Sequence, residues 1–196
     1  MQIEANISKE AINEMQVESF QGKIVVVNSS FELKEAIEEL KNHLLLGFDT
    51  ETKPAFAKGV FNKVALMQLA TNDTCYLFRL NKIGFPAELE KLLRNKKIKK
   101  IGLSLRDDFS ALNKRKVFNP ESFIDLQHIV KEFGIEELSL QKIYGLLFGK
   151  KISKSQRLSN WETDLFSDAQ QLYAATDAWA CLKIYTKLMD IKATNK

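Results

Sequence analysis

In three places this 196-residue chain carries acids where a protein core would reject them. Residues 44–53 read LLLGFDTETK, an apolar run of strand length that ends on Asp49 and Glu51. Residues i and i+2 of a strand point to one face, so the two carboxylates converge. Like charges that close repel unless a cation sits between them. Residues 101–112, IGLSLRDDFSAL, end a strand and open a helix on Asp107 and Asp108. Acids at a helix start complement its dipole, and Asp107 reads equally well as a capping residue. Residues 172–185, LYAATDAWACLKIY, put Tyr173 and Asp177 at i and i+4 on one helix face. Ala174, Ala175 and Ala178 keep the surroundings small, while Leu172, Trp179, Leu182 and Tyr185 supply a core stripe. A buried tyrosine with a hydrogen bond inside its own helix is the structural alternative.

Each signal is ordinary alone, and a strand ending in D-x-E usually closes on solvent or a nearby lysine. As an ordered set they describe a site for hard cations. Mg²⁺ and Mn²⁺ prefer carboxylate oxygens. Two such ions roughly 3.5–4 Å apart clamp the attacking and leaving oxygens of an in-line phosphoryl displacement. Other chemistries are poorly supplied. His43 and His128 are the only histidines and lie far apart, which disfavours zinc or a Ser-His-Asp triad. GLLFGKK at 145–151 fails as a phosphate loop, because its glycine spacing is one short and Lys151 stands where Ser or Thr is needed.

The elements that must position these acids follow from patterning. KIVVVN (23–28) is a strand. Ser29 and Glu32 make a capping box for a helix with Leu33, Ile37 and Leu40 inward, ending near Asn42. HLLLGFDTE is the next strand, TKPAFAKGVFN (52–62) a loop, and KVALMQLAT with TCYLFRL a hairpin turning at Asn72 and Asp73. A helix from Pro86 to Asn95 and a strand over 97–105 follow. Helices are predicted over 107–116, 123–133, 138–148 and 168–190, the last with a second capping box at Ser167 and Gln170. Strands interleaved with helices, then a helical half, give an α/β domain with a mixed sheet.

Composition fits one compact domain, with 45% hydrophobic residues. The amino end lacks a basic start and an apolar core, so no signal peptide is expected, and no run is long enough to span a bilayer. Cys75 and Cys181 form no disulfide framework, which suits a reducing cytoplasm. The net charge of +4 is mild, but the positive residues cluster at 94–100, 113–116 and 149–157. Such clusters favour polyanions, although any one of them reads more simply as solvated surface.

With the stretches around them, these motifs resemble the DEDD superfamily of 3′–5′ exonucleases, in the subgroup with tyrosine in its third motif. The likeness runs from about residue 23 to 189. It rests on KVALMQLAT, CYLF, KKIGLSLRDDFSAL, LSLQKIYGLLFGK and SNWETDLFSDAQQLYAATDAWA as well as on the acids. It is nearest to Werner-type exonuclease domains and is similar to ribonuclease D and the proofreading domain of DNA polymerase I. ETKPAF departs from the tryptophan-containing continuation usual after the first motif.

The resemblance implies a ribonuclease H-like α/β fold, expected here as a mixed five-stranded sheet flanked by helices. It implies that Asp49, Glu51 and Asp177 ligate two Mg²⁺ or Mn²⁺ ions, with Asp49 shared between them. Asp108, six positions after Gly102, would serve the same ions through water from slightly further out, and Asp107 would not. Tyr173 would orient the attacking water, since a phenol of pKa near ~10 is a poor general base. No histidine lies near Asp177, which excludes the histidine subgroup. Lys154 and Arg157 would contact substrate phosphate, and Trp161 beside them reads as a core anchor.

The expected function is metal-dependent hydrolysis of phosphodiester bonds from the 3′ end of nucleic acid, DNA favoured over RNA. The alternative is a catalytically inactive nucleic-acid-binding module on the same fold. The expected organisation is an N-terminal extension (1–22), an exonuclease domain (23–190) and a C-terminal tail (191–196). Larger relatives carry domains that bind or unwind substrate, so a helicase or other delivery partner is a further expectation.

Overall fold

A computed structural model of the chain describes residues 3–57, 59 and 61–194. Positions 1, 2, 58, 60, 195 and 196 lie outside the described residues. The extension 1–22, the loop 52–62 and the tail 191–196 are therefore described in part.

A short helix, α1 (Lys9–Glu14), opens the chain, with the Ser8 hydroxyl accepting from the Ala11 N–H. After β1 (Lys23–Val27), Ser29 and Glu32 form the predicted capping box at the head of α2 (Ser30–Leu40). β2 (Leu45–Thr52), β3 (Val64–Ala70) and β4 (Thr74–Arg79) make an antiparallel meander. α3 (Leu80–Ile83) and α4 (Ala87–Leu93) lead into β5 (Lys99–Gly102), followed by α5 (Leu105–Asn113) and β6 (Phe123–Asp125). The rest is helical. α6 (Leu126–Ile129) runs into a 3₁₀ turn over Val130–Phe133, then come α7 (Leu140–Phe148) and α8 (Asp168–Thr194). The capping box at Ser167 and Gln170 is present at the head of α8.

The sheet order is β1-β4-β3-β2-β5-β6. β1 runs parallel to β4, and β5 runs parallel to both β2 and β6. The sheet is mixed, as expected, but has six strands rather than five. The sixth comes from 123–133, which periodicity assigns wholly to helix. Phe123 instead extends and packs edge-on to Phe48 and Phe109, with ring centroids 5.1 and 4.9 Å apart. Those partners are remote in sequence, and three residues are too few to show a two-residue period.

One face of the sheet is covered by α2, α4 and α5, packed on Val27, Leu46, Phe48, Met67, Leu69 and Phe78. On the other, Leu66, Ala70, Cys75 and Leu77 meet Tyr173, Ala174, Ala175 and Ala178 of α8. β3 lies between and is buried along its whole length. Leu172, expected in the core stripe of α8, is 37% exposed. The buried side is centred on Ala174 and Cys181, and a helix turning about 100° per residue carries Leu172 to the opposite side. Within the extension, Ile12 and Phe20 are buried. Gly145 of α7 accommodates Ile12, since a β-carbon there would stand 2.3 Å from Ile12 Cδ1. Cys75 and Cys181 are free and buried. Among the described residues no helix is long and apolar enough to cross a membrane.

Candidate active site

Asp49 and Glu51 end β2 on the face that α8 covers, as strand alternation requires. The approach of α8 depends on Gly47, one pleat earlier on that face. A β-carbon at Gly47 would fall 1.9 Å from the Ala178 carbonyl oxygen, so any other residue would push the helix away. Ala178 follows Asp177, and this contact seats Asp177 over the strand end. Carboxylate oxygens of Asp49, Glu51 and Asp177 all lie within 4.8 Å of one another. Glu51 and Asp177 are 9% and 8% exposed, and Asp49 is partly buried.

Asp108 reaches the same strand end from the other side of the sheet. It stands outside the three-carboxylate cluster, and its Oδ1 accepts a hydrogen bond from the Thr50 hydroxyl. Thr50 lies between the two clustered acids, and its side chain turns the opposite way. The helix carrying Asp108 begins at Leu105, two residues earlier than predicted. Asp107 is therefore not its cap but an exposed residue of the first turn. The capping position is Ser104, in the left-handed region at φ 60°, ψ 36°. Its own side chain caps nothing. Asp125 of β6 accepts from the N–H groups of Ser104 and Leu105 at 3.1 and 2.9 Å, closing the helix start from a neighbouring strand. The chain is tightly packed at this turn, for a β-carbon on Gly102 would stand 2.5 Å from Leu105 Cδ2 and 3.1 Å from the Phe48 carbonyl oxygen.

Electrostatics set this cluster apart. Burial pushes the Asp49 carboxyl well above its ordinary range, and the charges of Asp108, Glu51 and Asp177 push it further. Glu51 is raised to about 9 by burial and by Asp177 and Asp108. Asp177 rises to about 7 through burial, against hydrogen bonding from Tyr173 and the charge of Lys154. Asp108 also rises to about 7, burial outweighing the bond from Thr50. Tyr173 as a whole is 8% exposed. Burial, Asp177 and Glu51 hold its phenol above its ordinary value, so it stays neutral at working pH.

Tyr173 and Asp177 thus share the face of α8 that looks at β2. Lys154 and Arg157 are both exposed on the loop before α8. The Lys154 charge reaches Asp177, whereas Arg157 touches none of the acids through any described hydrogen bond or ion pair. Trp161 is fully buried and packs on Phe166 and Tyr173, with centroids 5.7 and 6.0 Å apart. It anchors that loop, as do the Arg79 guanidinium bonds to the Thr163 and Asp164 carbonyls.

The donor set suits a divalent metal. Asp49, Glu51 and Asp177 offer hard oxygens at ligand spacing, and burial, joined at Asp49 and Glu51 by the charges of neighbouring carboxylates, raises the pKa of each. Among the described residues no other group of three acids, cysteines or histidines converges this way. Sequence reasoning did not find Thr50, Asp125 or Gly47. Only Thr50 left a local signal, the alternation D-T-E at a strand end.

A family model described as 3′–5′ exonuclease matches residues 24–192. The chain is 35% identical over 185 residues to the bifunctional 3′–5′ exonuclease/ATP-dependent helicase WRN of Mus musculus, across 89% of this chain and 13% of that protein. It is 30% identical over 159 residues to DNA polymerase I of Aquifex aeolicus, across 81% of this chain and 26% of that protein. The chain thus spans a minor part of both relatives. The fold superposes on the crystal structure of the Aedes aegypti Nibbler EXO domain with a TM-score of 0.82 at 24% identity, covering 92% of this chain and 94% of that one.

Proposed function

This chain belongs to the 3′–5′ exonuclease family, and from that premise we propose that it removes nucleotides from the 3′ end of nucleic acid, DNA in preference to RNA, at the acid cluster between β2 and α8. The observation that carries the reading is the convergence of Asp49, Glu51 and Asp177 within 4.8 Å at a place where burial penalises every one of their charges.

Asp49, Glu51 and Asp177 would hold two Mg²⁺ or Mn²⁺ ions, Asp49 serving both and Asp108 acting through water. When bound, such ions lower the pKa of water and neutralise charge on the phosphoryl oxygens. The chain's own residues do the rest. Thr50 fixes the rotamer of Asp108 through its hydroxyl. Tyr173, neutral and beside Asp177, orients the nucleophilic water by hydrogen bonding and does not act as its base. Lys154 and Arg157, exposed on the loop that Trp161 anchors, bind substrate phosphate. The preference for DNA is supported by the 30% identity to a DNA polymerase I. The free, buried cysteines suit residence in a reducing cytoplasm.

End-labelled DNA and RNA oligomers, single- and double-stranded, test this directly. A ladder shortening from the 3′ end, dependent on Mg²⁺ or Mn²⁺, abolished by chelator and faster on DNA, is the expected result. Binding without shortening would leave the inactive binding module on the same fold. Faster loss of RNA would overturn the DNA preference alone.

A further inference from the structure

Gln68 is the one polar side chain in β3, VALMQLA. It is 0% exposed, and neither its Oε1 nor its Nε2 has a hydrogen-bond partner. A buried carboxamide left in that condition is costly, and native structures rarely keep one without a use for it.

Strand pairing points to that use. Gln68 is the register partner of Asp49 across β2 and β3. Directly opposed residues of an antiparallel pair share one face, with Cβ atoms about 4.5–5.5 Å apart. That face is the one beneath α8, because Leu66 and Ala70 on either side of Gln68 pack with Ala174, Ala175 and Ala178. Toward β4 its partner is Leu77, in the same apolar layer. Toward β2 the neighbours of Asp49 on this face are Gly47, which has no side chain, and Glu51. The carboxylates of Asp49 and Glu51 are thus the acceptors that sheet geometry brings beside the amide, with Asp49 directly opposite.

We propose that Gln68 is a positioning residue: when a cation is bound its Nε2 turns to donate to the Asp49 carboxylate opposite, a bond not made in this structure, and so fixes which oxygen lone pairs that carboxylate turns toward the cation site. The proposal rests on the reading of Asp49 as a metal ligand. Both amide hydrogens are available, since neither is engaged with any partner in this structure, the Asp49 carboxylate included. Ligating carboxylates are commonly held by such a partner, whose loss costs about 10–100-fold in metal affinity or activity.

Methionine matches glutamine in length and volume but has no hydrogen to donate, so Gln68→Met removes the amide and keeps the packing. Mn²⁺ affinity by calorimetry is measured on the full chain for wild type, Gln68→Met and Asp49→Ala, with a metal-free melting curve for each. The expected result is a folded Gln68→Met protein whose Mn²⁺ Kd is weakened by about 10–100-fold. An unchanged Kd in a folded Gln68→Met protein overturns the proposal. Asp49→Ala separates the two readings: if it too keeps Mn²⁺, the site assignment has failed, and if it alone loses Mn²⁺, only the role of Gln68 has failed. Should Gln68→Met not fold, the wild-type protein decides the matter. The Gln68 side-chain ¹⁵N–H₂ resonances should move on Mg²⁺ saturation, with one proton shifting downfield, and resonances that stay in place overturn the proposal.

Discussion

Six positions along α8 separate Asp177 from Lys183, and each belongs to a carboxylate site, the first buried and the second partly exposed. At the Lys183 end stands Glu18, from the segment before β1. It accepts from Lys183 at 3.0 Å, from Lys150 at 3.1 Å and from the Tyr144 hydroxyl. Lys183 Nζ also sits over the rings of Trp179 and Phe148, 4.6 and 4.7 Å from their centroids. Burial pushes the Glu18 carboxyl upward, yet those three donors outweigh it and bring the group down to about 2. At the Asp177 end burial acts in the same direction, but the neighbours are further carboxylates, and Glu51 ends at about 9. Burial raises the acids at both sites, more deeply at the Asp177 end, and the supply of donors separates them further. The fold delivers Glu18 together with its cations, whereas in the cluster Asp177 has Tyr173 and the charge of Lys154 and Glu51 has only burial and other carboxylates about it. An acid that the protein pairs is holding the structure, and acids that it leaves unpaired are holding a place for something else.

Asp49→Ala and Asp177→Ala break the comparison at its strongest point. Either should abolish nuclease activity on end-labelled oligomers. Metal-free melting should be unchanged or slightly raised, because a repelling charge has gone. A double variant as active as wild type would refute the site. Next come the adjacent acids of α5. Asp108→Asn should cost orders of magnitude in rate, since Asp108 is tied to Thr50 at the strand end. Asp107→Asn, at an exposed position, should cost no more than roughly 1 kcal/mol of helix-start stability. The opposite ranking in a rate assay would shift the functional register by one residue.

Tyr173→Phe is expected to lower kcat on the order of 10²-fold. KM and Mn²⁺ affinity should be kept, because the lost hydrogen bond acts in the transition state. An unchanged single-turnover rate would reduce Tyr173 to a packing residue. The smallest effect lies at the other carboxylate. Glu18→Gln should leave the nuclease rate alone and lower stability at neutral pH by about 1–2 kcal/mol, discounted for partial exposure. The folded pKa of Glu18 is below its ordinary 4.5, so its contribution is complete above 4.5 and is lost as pH falls through about 2. Denaturant melts of wild type and Glu18→Gln should therefore converge across that window. A gap that stays constant to pH 2 would assign the stability to side-chain shape instead of charge.

Much of this molecule was legible in one dimension. The capping boxes at Ser29–Glu32 and Ser167–Gln170, the turn between β3 and β4, and the two acid-bearing motifs D-T-E and Y-A-A-T-D all depend on contacts within about four residues. Strand alternation alone puts Asp49 and Glu51 on one face, and helical spacing alone stacks Tyr173 on Asp177. The sixth strand, the loss of Leu172 from the core, the cap that Asp125 lends to α5, the bond from Thr50 to Asp108 and the strand register that sets Gln68 opposite Asp49 are of another kind. Each pairs residues brought together by sheet register or by the crossing of a helix over a strand. So does the site itself, whose two halves meet because Gly47 lets the backbone of α8 down onto β2. Local hydrogen bonding and periodicity select the pieces and the faces they present. Which faces meet, and at what distance, is set by long-range packing, and a pattern along the chain carries no term for that.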